Sequence, residues 1–257
     1  MSDLDDAKVL HFINQGMVIF RPRYPDGFHE AICAGLGKVE GDPRNQITDH
    51  VPELLGVFEH PAVRGALDSL MGPGWNLHVH RQFYNNRPGS QSQGWHVDAP
   101  TADHMLHSVT LFYYPHDVTA EMGPTILIPG THFRDAPMDR LTSYANVRGQ
   151  KVFLGGAGTL CFMHPDLWHA RSLNRSERDR YMVKFVVERA GPPTQPSWQH
   201  DPATAEALFL QKCREFVGPV KTWCTDYLHE WEWRRKLWNW MRGVTAQAPN
   251  LMDFLVG

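Results

Sequence analysis

The sequence predicts a mainly β protein with helices before and after the β part. Three observations carry this reading. First, Trp75 to Asn85 alternates, with Leu77, Val79 and Arg81 on one side and His78, His80 and Gln82 on the other, the period-two pattern of a strand. Second, short apolar runs follow at Val109 to Tyr114, Thr125 to Ile128, Lys151 to Leu154, Thr159 to Met163 and Tyr181 to Glu188. Turn sequences divide them: Arg87-Pro88-Gly89, Met122-Gly123-Pro124, Ile128-Pro129-Gly130 and Gly155-Gly156-Ala157-Gly158. Third, both ends of the chain read as helical. Many short strands with Gly/Pro turns point to a closed sandwich or jelly roll.

The elements follow in order. Asp3 to Asn14 reads as a helix, with Leu4, Val9 or Leu10, and Phe12 or Ile13 facing inward. Gly16 stops it, and Met17 to Phe20 is a short apolar strand. The turn Pro25-Asp26-Gly27 leads into a helix from Phe28 to Gly37. Residues 41 to 50 are polar and read as a loop. Pro61 to Met71 is a further helix, with proline at its first position and Gly72 as its stop. After the strands, Ala203 to Val217 and Val220 to Met241 read as helices broken by Gly218-Pro219. Trp223, Tyr227, Trp231 and Trp238 form one stripe of the last helix, and Trp233, Leu237 and Trp240 a second. Such stripes usually pack as core; a stacking platform for a sugar or ring is the other reading. With no repeat and no linker, the chain reads as one domain over 1–257. It has a helical part at 1–74, a β core at about 75–189 and a helical part at 200–257.

Composition narrows the function. Lys+Arg number 25 and Asp+Glu 28, a formal net charge of −3, which gives no basic face for nucleic acid. The cysteines at 33, 161, 213 and 224 make no C-x-x-C pair, so a zinc knuckle or redox motif is not expected. No apolar run has the length of a membrane span and no secretory segment is recognisable, so a cytoplasmic protein with free thiols is expected. The expected partner is a small-molecule substrate, not nucleic acid or membrane. Oligomeric state has no signature in the sequence.

His96-Val97-Asp98 is the strongest chemical signal. Residues i and i+2 of an extended segment face the same way, so both can reach one ion. With His169 they make two imidazoles and a carboxylate, the donor set that holds one face of iron(II) and leaves the other open. Alone, H-x-D also describes a surface histidine near an aspartate. His164 is a rival for the distal ligand, although the spacing to Asn174 and Arg180 favours His169. Arg180 opens a strand and offers a bidentate fork for a carboxylate; an ordinary ion pair is its other reading. Thr125, after Gly123-Pro124, puts a small hydroxyl residue on an apolar strand.

The segments Trp95-His96-Val97-Asp98, Phe112-Tyr113-Tyr114 with Asp117-Val118-Thr119, Gly123-Pro124-Thr125, Ile128-Pro129-Gly130-Thr131-His132, and His169 with Asn174, Ser176 and Arg180 stand together over about residues 76 to 189. In this combination the chain resembles the phytanoyl-CoA dioxygenase family of iron(II)/2-oxoglutarate-dependent oxygenases. The resemblance implies a double-stranded β-helix, a cupin-like jelly roll. It implies Fe(II) held by His96, Asp98 and His169, 2-oxoglutarate held by Arg180, Thr125 and Gln82, and O2 as the oxidant. Arg87, His78, His80, Arg171 and Phe112 become candidates on the substrate side. Two positions depart from the family: Met122 stands where many members have Asn, and Arg171 where a small residue is common.

The implied activity is hydroxylation or oxidative cyclisation of a polar small molecule, in the first place a secondary metabolite, sugar-containing ones included. The polar residues of Ala99 to His107 and Arg134 to Gly149, among them Asp103, His104, His107, Asp135, Asp139, Arg140 and Tyr144, are expected at the mouth. Related halogenases lack the carboxylate, so Asp98 implies oxygenation without chlorination. The alternatives are an acyl-CoA or lipid hydroxylase of the same family, a zinc hydrolase, and a non-catalytic metal-binding β-barrel.

Overall fold

A computed structural model describes residues 4–134, 146–215 and 224–244. Helix α1 (Asp6–Gln15) starts at Asp5, whose carboxylate accepts the Lys8 N–H at 2.8 Å. It ends at Gly16, in the left-handed region at φ 75°, where a Cβ would meet His132 Nδ1 at 2.5 Å. Leu4, Val9, Leu10, Phe12 and Ile13 are all buried, so the inward stripe is wider than two alternatives per turn. Strand β1 (Met17–Phe20), α2 (Phe28–Leu36), the short α3 (Ile47–His50) and α4 (Pro61–Met71) follow.

The stretch 41–50, expected as a loop, is partly helical. A 3-10 turn at Arg44–Gln46 runs into α3, and a second 3-10 helix covers Pro52–Glu59. Ile47, Val51, Leu54 and Phe58, spaced three or four apart, are buried there. Apolar burial at helical spacing overrides the polar local composition.

Among the described residues, eight strands form two antiparallel sheets. They are β1, β2 (Asn76–Asn86), β3 (Ser108–Tyr114), β4 (Thr125–Leu127), β5 (Lys151–Val152), β6 (Thr159–Met163), β7 (His169–Arg171) and β8 (Arg180–Glu188). The larger sheet runs β1-β6-β3-β8-β2 and the smaller β5-β4-β7. This is the mainly β, jelly-roll type of core with flanking helices. Residue alternation explains its two faces. On β3, Leu111 and Tyr113 join the core shared with the helices, whereas Phe112 and Tyr114 join the core between the sheets. On β8, Val183, Phe185 and Val187 face the helices, which leaves Arg180, Met182 and Lys184 on the opposite face. Strand β2 forms as expected, but its alternation is broken by an irregularity between Leu77 and Arg81, where Val79 is 66% exposed.

Beyond the sheets, the described residues form α5 (Ala205–Glu215) and α6 (Cys224–Met241). Residues 216–223, including Trp223 of the expected stripe, lie outside the described residues, as do 135–145 of the expected mouth. In α6, Trp231, Leu237 and Trp238 are buried core. Trp233 packs edge-on against His104 at 4.8 Å and Trp240 against His107 at 5.2 Å. The last helix thus braces the loop that follows Asp98. Among the described residues no helix is long and apolar enough to cross a membrane.

Candidate metal and co-substrate site

His96 and His169 meet through the backbone. His96 lies on an extended loop and makes a one-residue antiparallel bridge to His169 of β7, N–H to O at 2.9 and 3.0 Å. Asp98 follows two residues on, and its own N–H donates to Pro165 O at 3.1 Å. Donor atoms of His96, Asp98 and His169 all lie within 4.8 Å of one another. His164, the rival ligand, is elsewhere: it is fully buried, stacks near His132 and accepts the Asp166 N–H at its Nδ1.

The backbone also sets the proton on each ring. His96 Nδ1 contacts Gly94 O at 2.9 Å, and His169 Nδ1 contacts Leu167 O at 2.9 Å. A carbonyl only accepts, so each Nδ1 carries the hydrogen and each Nε2 presents a lone pair. Burial pushes the His169 imidazole down to about 4 despite the neighbouring Asp98, so the ring is neutral near pH 7. Burial opposes ionisation of Asp98, but His169 and the Lys184 ammonium outweigh it and hold the carboxyl below its ordinary range.

The loop carrying Asp98 is pinned by Asp166. Its carboxylate accepts Thr101 N–H at 2.8 Å, Thr101 Oγ1 at 2.6 Å and His104 Nδ1 at 2.8 Å. Asp166 itself stands just before β7. One carboxylate therefore ties the two ligand-bearing segments together.

Opposite the triad, Arg180 is fully buried at the start of β8. Its Nη2 donates to Gly123 O at 3.1 Å, while Nε and Nη1 have no hydrogen-bond partner among the described residues. The guanidinium stands 5.9 Å from the centre of the Tyr114 ring, and the Tyr114 hydroxyl shares a 2.7 Å hydrogen bond with Thr125 Oγ1. Gly123 is in the left-handed region at φ 68°, and a Cβ there would lie 2.3 Å from Asn86 Nδ2. Asn86 Nδ2 in turn donates to the carbonyls of Met122 and Gly123, so a buried asparagine on β2 holds the turn that Arg180 grips.

A small pocket joins these parts; Phe112, Met182, Ala170, Arg171, Gln93, Tyr84 and Lys184 complete its walls around the triad, Thr125 and Arg180. Of the residues singled out in the sequence, His96, Asp98, His169, Arg180, Thr125, Phe112 and Arg171 come together here. Gln82 does not line the cavity; its Oε1 accepts the Tyr84 hydroxyl at 2.6 Å. His78 and His80 are half-buried further along β2, joined by His80 N–H to His78 Nδ1 at 3.0 Å. Arg87 is exposed in the turn after β2. Lys184, Tyr84 and Gln93 were not foreseen. The first lies four residues after Arg180 on the same strand face, and Tyr84 pairs with Met182, so the period-two rows through Arg180 and Gln82 pass through both. Gln93, on an irregular segment beside His96, leaves no such pattern.

The donor set fits a divalent metal and a dicarboxylate. Two lone pairs converge on one carboxylate whose Oδ2 is buried without a hydrogen-bond partner among the described residues. Two buried guanidinium nitrogens of Arg180, Nε and Nη1, have no hydrogen-bond partner among the described residues, and Arg180 lines the same pocket. Leaving such groups unpaired costs roughly 1–3 kcal/mol each, a cost that a bound ion and carboxylate relieve.

The family description "Phytanoyl-CoA dioxygenase (PhyH)" matches residues 27–182, more than half of the chain. An uncharacterized protein of Mycobacterium tuberculosis is 24% identical over 146 residues, 54% of this chain and 52% of that protein. The chain thus spans about half the length of that curated relative. Three solved structures share the fold. HygX of Streptomyces hygroscopicus with iron bound is 14% identical with a TM-score of 0.61, covering 85% of this chain and 96% of that one. SnoK, an alpha ketoglutarate dependent carbocyclase from nogalamycin biosynthesis, is 17% identical with a TM-score of 0.59, covering 84% and 92%. SnoN, an epimerase from the same biosynthesis, is 17% identical with a TM-score of 0.56, covering 72% and 83%. From the match across the β core and the ligand-bearing segments, the chain belongs to the phytanoyl-CoA dioxygenase family of iron(II)/2-oxoglutarate-dependent oxygenases.

Proposed function

We propose that this protein is an Fe(II)/2-oxoglutarate-dependent oxygenase that hydroxylates or oxidatively cyclises a polar small molecule, a secondary metabolite of sugar-containing type, in the cytoplasm, and that the whole chain works as one domain. The observation that carries it is Arg180: a buried guanidinium whose Nε and Nη1 have no hydrogen-bond partner among the described residues, lining the same pocket as the His96–Asp98–His169 donors. A metal site alone has no use for it.

In this reading His96 and His169 bind iron through Nε2, and Asp98 through its carboxylate. When bound, iron and 2-oxoglutarate supply the oxidising power: dioxygen and co-substrate become succinate and carbon dioxide as a C–H bond of the substrate gains oxygen or loses hydrogen. Arg180 takes the distal carboxylate of the co-substrate by a two-bond fork. The Tyr114–Thr125 hydroxyl pair sits against it and fixes the angle of approach. Phe112, edge-on to His169 at 5.6 Å, and Met182 exclude water from the donors. Arg171 lines the open side with one N–H spent on Gln91 O at 3.1 Å, and its remaining donors suit polar groups of a substrate. His80 and His78 extend the same polar side, and Gln82 acts on the site through Tyr84. Arg87 is an outer contact only.

The polar walls support a hydroxylated substrate over a bare fatty chain, and relatives of this fold include HygX, solved with hygromycin B bound, and SnoN, solved with nogalamycin RO. The three described cysteines are unpaired, in keeping with a reducing compartment.

The test is anaerobic addition of Fe(II) and 2-oxoglutarate, read as a weak visible charge-transfer band, followed by succinate release in air. The band is expected in the parent protein and lost in Arg180→Ala. A band indifferent to Arg180 supports the non-catalytic metal-binding barrel; metal analysis giving zinc without succinate release supports a hydrolase. A mass-change screen of candidate metabolites then names the substrate: a gain of about 16 mass units marks hydroxylation and a loss of about two marks cyclisation or desaturation.

A further inference from the structure

Lys184 is a cation held inside a site built for another cation. Its side chain is 9% exposed, and Nζ lies 2.9 Å from Asp98 Oδ1. That same oxygen stands 3.7 Å from His169 Nε2, so the ammonium rests on the carboxylate oxygen that faces the metal-binding imidazole. The hold is built in. Tyr84 lines the same pocket as Lys184, and its hydroxyl donates to Gln82 Oε1 at 2.6 Å. The register Gln82↔Lys184 and Tyr84↔Met182 between β2 and β8 brings these groups together.

We propose that Lys184 is an internal counter-ion for Asp98: it takes the metal's electrostatic place when the metal is absent and weakens Asp98 as a ligand when the metal is bound. This rests on the iron reading above. A buried carboxylate stripped of its partner is strongly destabilised, and in the metal-free protein Lys184 prevents that. An arriving iron(II) must share the carboxylate with an ammonium a hydrogen bond away, and like charges shielded from water repel strongly. The opposing effect is aim, since Lys184 also points Asp98 at the site. Aim, however, has other guarantors: Asp98 N–H is fixed on Pro165 O, and Thr101 is tied twice to Asp166. These contacts fix the main chain that carries the carboxylate, so removal of Lys184 acts chiefly through its charge, and a neutral residue that still donates to Asp98 separates aim from charge.

The experiment uses the full chain as Lys184→Met, Lys184→Gln and Lys184→Arg, with anaerobic Fe(II) affinity measured by chelator competition and the band recorded after addition of 2-oxoglutarate. Both neutral variants are expected to bind Fe(II) about tenfold tighter or more, tenfold being about 1.4 kcal/mol. Their metal-free forms melt lower, and the band moves to longer wavelength because Asp98 donates more charge. Lys184→Arg stays near the parent. Gln keeps a hydrogen bond to Asp98, so it separates charge from packing and stands in if the Met variant does not fold. Equal or weaker Fe(II) binding in the neutral variants, with a normal band in the parent, overturns this proposal alone. A parent protein that forms no iron and 2-oxoglutarate complex overturns the proposal and the iron reading together.

Discussion

His96 and His169 are joined by a single main-chain bridge that sets their rings 4.2 Å apart between centroids. Two candidate ligands far apart in the chain are therefore brought together by peptide hydrogen bonds. His169→Ala keeps the main-chain bridge and removes the imidazole nitrogen. It is expected to abolish the charge-transfer band while the metal-free protein melts within a few degrees of the parent. A band that survives at parental Fe(II) concentrations would reject His169 as a ligand.

Arg180→Lys replaces a planar fork by a point charge and cannot satisfy Gly123 O and a carboxylate together in this geometry. Loss of a charge-assisted pair of bonds is worth about 1.5–3 kcal/mol, roughly 10- to 150-fold in 2-oxoglutarate affinity. Anaerobic titration of the band with 2-oxoglutarate measures it, with Fe(II) affinity as the quantity expected to stay put.

Gly123→Ala forces a side chain into a left-handed residue and against Asn86 Nδ2, Ser172 O and Asn174 N. Two of these three atoms are backbone and cannot swing aside. A loss of at least about 2 kcal/mol is expected from strain and clash together, read by chemical denaturation. A loss below 0.5 kcal/mol, on the order of an ordinary surface change, would show that the turn tolerates a Cβ.

Asp166→Ala removes three hydrogen bonds from the loop that carries Asp98. The Thr101 and His104 donors are left without their acceptor, so a stability loss of about 2–4 kcal/mol is expected. Because the loop then wanders, Fe(II) affinity also falls; unchanged affinity in a folded variant would place the clasp outside the working of the site.

Burial pushes His164 and His169 from the ordinary 6.5 down to about 4, and His132 is lowered well below its ordinary value by burial, with His164 adding to it. The folded protein keeps these rings neutral, whereas the unfolded chain protonates them below 6.5. Between about pH 6.5 and 4 the unfolded state binds more protons, so their stabilisation is full above 6.5 and lost as pH falls through 4. The melting temperature of the metal-free protein should drop steadily across that window. A flat profile from pH 7 to 5 would contradict the burial of these rings.

Much of the site is legible in the sequence because its parts are local. His96 and Asp98 share a face by spacing alone, and Arg180 sits at the head of a long alternating strand. The same alternation runs through Met182 and Lys184, but a lysine in a half-apolar strand reads as a solvent-facing residue until its neighbour Asp98 is known. Strand β7 is three residues long, too short to leave a period. The helical turns between Arg44 and Glu59 are driven by burial of Ile47, Val51, Leu54 and Phe58 against the rest of the molecule, which local polarity conceals. The partners of the α6 tryptophans, His104 and His107, are likewise distant in sequence and invisible to spacing.

Each ligating imidazole is oriented by a carbonyl two residues earlier on its own segment. The choice of tautomer therefore belongs to the peptide chain and not to the surrounding walls. Arg171, Gln93, Phe112 and the loop after Asp98 are free to be exchanged for other residues while both nitrogens keep facing the ion.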